Sequence, residues 1–219
     1  MLAARRMMIN RHAVTAPVFD AAATATSGGG FTSVLNLSHT IGTGPNRILV
    51  LAAALFAGSA SESASFGSGS FNMTLLNRVF TPAGSVSIEI WYYINPPSGA
   101  QTIQFQTSSS VRMSAISASY AHVDQTTPFG TSANTSSNGA TSDSTTVSAA
   151  LTDLVLSAMF TLDTGTITLG SGQSSRGDVL SSPMQEVFTD QPGGSSVTSS
   201  FSWASSQPTA QFSVPLHGA

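Results

Sequence analysis

From Thr15 onward, apolar and polar side chains alternate with a period of two, the pattern of half-buried strands. The clearest run is 85–95. Val86, Ile88, Ile90, Tyr92 and Ile94 fall on one face; Ser87, Glu89, Trp91 and Tyr93 fall on the other. Residues 101–107 repeat the pattern with Ile103 and Phe105 inward. The two runs are joined by Asn95-Pro96-Pro97-Ser98-Gly99, where proline fixes φ and glycine permits φ > 0. That turn predicts a hairpin or a tight corner between sheets. Leu154, Leu156, Ala158, Phe160 and Leu162 form another one-faced strand. Val197, Phe201 and Trp203 belong to a later one, and Ala210, Phe212, Val214 and Leu216 close the chain. Pro215 has no N–H to give, which predicts a sheet edge there.

Two segments are apolar on both faces. Residues 48–57 allow a helix by alanine content, but Gly/Ser clusters bound them, so a central strand covered on both sides is expected. Residues 111–123 intersperse small Ser and Ala between Met113, Ile116 and Tyr120, which lets layers approach closely. Turn-rich stretches at 27–30, 42–46, 58–70, 126–144, 170–178 and 191–196 separate about ten to thirteen short strands, the spacing of a sandwich. The expected fold is an all-β, two-sheet β-sandwich of jelly-roll type, one domain over 15–219 with an N-terminal arm over 1–14. No fixed-period repeat points to a solenoid.

Composition narrows the function classes. Charged residues are only 8% against 41% hydrophobic, so Ser, Thr, Asn and Gln must make the surface polar. All seven basic residues are Arg, and the net charge is −3. Nucleic-acid binding, which needs clustered cations, is not expected. Without Cys there are no disulfides or thiolate metal sites. No apolar run reaches the ~18 residues of a membrane helix, and no signal-peptide pattern follows the first charges. Arg5, Arg6 and Arg11 cluster in the arm beside Leu2, Met7, Met8 and Ile9. They are expected to contact a partner or a neighbouring subunit.

The chemistry-bearing residues give little support to catalysis. A glycosidase needs two flanking carboxylates; the three Glu (Glu62, Glu89, Glu186) are far apart in sequence, and Glu89 alternates outward. His122 and Asp124 share a strand face without a third metal ligand, so a turn is favoured. His39 reads as a structural histidine. A Ser–His–Asp triad finds no Gly-x-Ser-x-Gly elbow in support. Arg176-Gly177-Asp178 matches an integrin-recognised tripeptide in a Gly/Ser loop. No catalytic residue, metal site or cofactor is expected. Trp91 and Tyr93, opposite the Ile row, either pack on a second layer or form a surface contact.

Residues 88–103, Ile-Glu-Ile-Trp-Tyr-Tyr-Ile-Asn-Pro-Pro-Ser-Gly-Ala-Gln-Thr-Ile, and 120–130, Tyr-Ala-His-Val-Asp-Gln-Thr-Thr-Pro-Phe-Gly, resemble motifs of a phage-associated family of β-sandwich structural proteins. Asn46-Arg47-Ile48-Leu49-Val50 and Ser38-His39-Thr40 are similar to further segments of it, and the resemblance spans about 18–216. It implies no catalytic residues. It implies a compact virion component, read as a capsid decoration (cement) protein docked on the major capsid protein or other virion proteins; exposed sandwich edges, which a closed assembly would protect, favour a homo-oligomer, a trimer first, or monomers docked on a lattice. The alternative is a tail-associated module that binds a receptor or glycan, with Trp91, Tyr93 or Trp203 stacking on sugars. The short basic arm and the lack of appended modules depart from the family pattern and argue against a large adhesin.

Overall fold

The computed structural model describes residues 13–56, 62–84 and 86–219. Arg5, Arg6 and Arg11, and with them most of the expected arm, lie outside these residues. The described chain is all strand and loop. The elements are β1 Val18–Thr26, β2 Thr32–Ile41, β3 Ile48–Phe56, β4 Glu62–Phe66, β5 Phe71–Asn72, β6 Thr74–Phe80, β7 Ser87–Ile94, β8 Gly99–Ala121, β9 Ala133–Val147, β10 Leu154–Thr161, β11 Thr168–Leu169, β12 Ser174–Ser181, β13 Met184–Pro192 and β14 Val197–Leu216. They form an eight-stranded and a six-stranded antiparallel sheet packed together. This is the expected β-sandwich; the pairing order does not by itself establish a jelly-roll wrapping.

Each sheet doubles back through one long strand. The first half of β8 pairs with β2 and β4, and its second half with β1 and β3. The change of partners comes at Thr107–Ser110, where the Thr107 hydroxyl donates to the Ser109 carbonyl. In the second sheet, Val197–Ser202 of β14 pair with the end of β9 and with β11, while Thr209–Leu216 pair with β10. The chain therefore stacks four thin layers, with the two sheets meeting in the middle.

Period-two burial follows from this stacking. Ile48, Val50, Ala52 and Ala54 of β3 face the second sheet with Ile88, Ile90, Phe160, Phe188 and Phe212. Leu49, Leu51, Ala53 and Leu55 face the folded-over half of their own sheet, with Leu37, Phe66, Ile103 and Phe105. Each fully buried leucine contributes roughly 1.5–3 kcal/mol, which a helix could not collect on two opposite flat layers. Asn95-Pro96-Pro97-Ser98-Gly99 is a corner between layers: β7 ends beside β3, and β8 starts beside β2. Asn95 (φ 50°) and Gly99 (φ 102°) take the left-handed conformations that the corner requires. Pro215 pairs with Val155 on one side. Its carbonyl accepts from Gly130 N–H at 3.0 Å on the other, beyond the end of the β9 ladder, so the missing donor falls where no strand needs it.

Three segments read as turn-rich hold strands, the first being 58–70, which contains β4. Segment 126–144 is not all turn, because β9 begins at Ala133. The segment read as the loop 170–178 contains the start of β12, where the chain pairs with β13.

Candidate functional site

The three glutamates are drawn into the interior. Glu89 is fully buried on β7, not solvated as its alternation implied, because the face it occupies is covered by the doubled-back half of the sheet. Arg78 on the adjacent β6 pairs with it at 2.6 Å and also pairs with Glu62. Trp91 Nε1 donates to Glu89 at 2.9 Å. Burial raises Glu89 to about 7, against the opposing pull of Arg78. Two carboxylates thus meet, but around a guanidinium that occupies the space a scissile bond would need. Glu186 on β13 lies in the core between the sheets, with Ser114 donating at 2.6 Å, and burial pushes it up to about 8.

His39, Ser119 and Asp20 do come together, in an order that rules out nucleophile activation. Ser119 Oγ donates to Asp20 at 2.7 Å, so it accepts from His39 Nε2 at 2.9 Å. The remaining Nδ1 then accepts from Ser117 at 2.8 Å. In a hydrolytic triad the aspartate holds the histidine and the serine faces substrate. Here His39 and both serines are at most 1% exposed. Burial lowers the His39 pKa, opposed by Asp20, so the imidazole is a neutral interlayer link.

The Arg-Gly-Asp tripeptide is built into β12. Arg176 makes two 2.7 Å hydrogen bonds to Asp190 and stacks 3.9 Å from the centroid of Phe19. Asp190 also accepts from Tyr120 at 3.0 Å, and burial raises the tyrosine pKa. Asp178 accepts from Gln185 at 2.7 Å. No free loop tip presents the motif.

Of the two readings of Trp91, packing under a second layer is the one found, and the surface contact is not. Trp91 is 7% exposed and packs edge-on to Phe105. Tyr93 is half-buried against Phe66 and Phe71. Trp203 is 6% exposed, and its Nε1 donates to the Ala140 carbonyl at 2.9 Å. Asp124 closes a turn by accepting from the N–H groups of Thr126 (2.8 Å) and Thr127 (3.1 Å), which lowers its pKa. Among the described residues, no three metal-ligating side chains converge.

Two open grooves remain on the second sheet. One, of about 490 Å³, lies along β9, β14 and β11. Phe201 and Thr145 point inward there, and the cross-strand pairs Ser144–Ser200, Ser142–Ser202 and Ser202–Thr168 share the outward face. The other, of about 450 Å³, is lined by Gly130, Thr131, Ser132, Thr146, Ser148 and His217. The His217 Nδ1 lies 3.1 Å from the buried Asp153 carboxylate, which also accepts from Ala150 N–H at 2.8 Å. Sequence reading missed this pair because 64 residues separate its members. No family model, curated protein or solved structure matches the chain.

Proposed function

We propose that the chain is a non-enzymatic structural protein of a phage particle, a decoration (cement) protein that docks on the capsid shell as an oligomer, with a trimer favoured. The observation that carries the non-enzymatic part is the inward turn of its ionisable chemistry. Glu62, Glu89, Glu186, Asp190, His39, Arg78 and Arg176 all spend their hydrogen bonds inside the sandwich. The outward face of β9, β14 and β11 offers hydroxyls instead. The virion context rests on the two motifs at 88–103 and 120–130.

Assembly would also cover sheet edges. Leu75 and Phe80 on the edge strand β6 are each 39% exposed, and Phe71 on β5 is 38% exposed. Apolar residues on an unpaired edge invite pairing with another chain, and closed symmetry would bury them. The arm, with Arg5, Arg6 and Arg11, supplies the anchor. Removing residues 1–14 should weaken shell binding in a pull-down with assembled shells while thermal unfolding stays cooperative; undiminished binding would refute the arm's role.

A second reading, a tail-associated receptor- or carbohydrate-binding module, is favoured by the two grooves, whose linings both carry Ser and Thr hydroxyls.

A further inference from the structure

We infer that the groove beside His217 is a binding site for a neutral glycan. The argument starts from Asp153. Its carboxylate is 5% exposed and can only accept. When His217 is neutral, this acceptor holds the imidazole proton on Nδ1. Nε2, with no protein partner among the described residues, is left as an acceptor with a fixed direction. His217 is half-buried, and the Gly130 backbone lies against its Cε1 edge: a Cβ at that glycine would meet Cε1 at 3.1 Å and Pro215 at 3.1 Å. The imidazole and the groove wall are thus set in place before any ligand arrives.

Around this acceptor stand Thr131, Ser132 and Ser148, whose hydroxyls have no partner among the described residues. A hydroxyl both donates and accepts, so the complementary ligand is one whose own groups do both, a polyol. Charge selects the neutral class. The carboxylate in the wall is already engaged by His217 and Ala150 N–H, and no Arg lines the groove. An anionic sugar would meet no guanidinium there. The volume of about 450 Å³ falls within the roughly 300–1,000 Å³ of small-ligand sites. The inference takes its ligand class from the second reading, with hydrogen bonding replacing the aromatic stacking that buried Trp91 and Trp203 cannot provide.

The test is calorimetric titration of the full chain with neutral oligosaccharides of glucose, galactose, mannose and N-acetylglucosamine, beside sialylated and glucuronate-containing ones. At least one neutral glycan should bind. His217→Phe should weaken it at least about tenfold. Ser148→Trp, which fills the groove and leaves the His217–Asp153 pair intact, should do the same without shifting thermal unfolding. Ser200→Trp, in the other groove, should leave binding unchanged. Failure of every neutral glycan to bind at roughly 10 mM, binding of acidic glycans alone, or unaltered binding by Ser148→Trp would overturn the site. None of these outcomes would touch the assembly reading, which is decided by particle copy number.

Discussion

Glu186→Gln should flatten the dependence of stability on pH. Glu186 is fully buried between the sheets, with one oxygen taking the Ser114 hydroxyl and the other without a hydrogen-bond partner. Burial raises it from 4.5 to about 8, partly offset by the Ser114 and Ala54 donors. The folded state thus holds a proton that the unfolded chain releases at lower pH. Its stabilising effect is complete below pH 4.5 and is lost as pH rises toward 8. At about 1.4 kcal/mol per pH unit, Glu186 alone removes roughly 4 kcal/mol between pH 5 and 9, and about 1.4 kcal/mol between pH 7 and 9. The upper window isolates it. Glu89, raised to about 7, has lost most of its effect by pH 7. The lowered pKa of His39 acts in the opposite sense and only below about 6.5. Urea unfolding of both proteins at pH 5, 7 and 9 measures the difference. The wild type should lose stability at each step, Glu186→Gln much less, and the variant should be the more stable at pH 9. Parallel losses in the two proteins would refute the reasoning.

Three further outcomes follow from the same packing. Arg78→Met leaves Glu62 and Glu89 facing each other without their cation and should cost about 3 kcal/mol at pH 8, and less at pH 5, where Glu89 is protonated; equal losses at both pH values would contradict the ion-pair account. Gly177→Ala places a methyl 2.6 Å from Ile116 Cγ2 and 3.0 Å from Thr24 Cγ2 and should cost about 1–3 kcal/mol in chemical denaturation; a neutral effect would mean that β12 is not seated on the first sheet. Trp91→Ala should destabilise by about 3–5 kcal/mol, whereas a surface tryptophan would leave the midpoint nearly unchanged.

The strands were legible wherever one face carried large apolar groups. Ile88, Ile90 and the two-sided run from Ile48 specify β7 and β3 directly. The fate of the opposite face was not, because Trp91 and Glu89 are buried by the turn of β8 at Thr107–Ser110. That bend is written in three serines that any loop could contain. The start of β9 escaped for the complementary reason: Ala133 to Val147 is mostly Ser and Thr on both faces, so its period carries no hydrophobic contrast. At the candidate site, His217 and Asp153 are joined only by the close approach of the chain's last strand to the β9–β10 turn. The ion pairs of Arg78 with Glu62 and Glu89, and of Arg176 with Asp190, were set by strand register, which no local spacing shows.

The proposed structural role is tested most directly by quantitative mass spectrometry of purified particles from any phage whose genome carries this gene. The account predicts a copy number comparable to that of the major shell protein. A chain absent from particles would contradict it, and one present in only a few copies would replace the decoration reading with the tail-associated one.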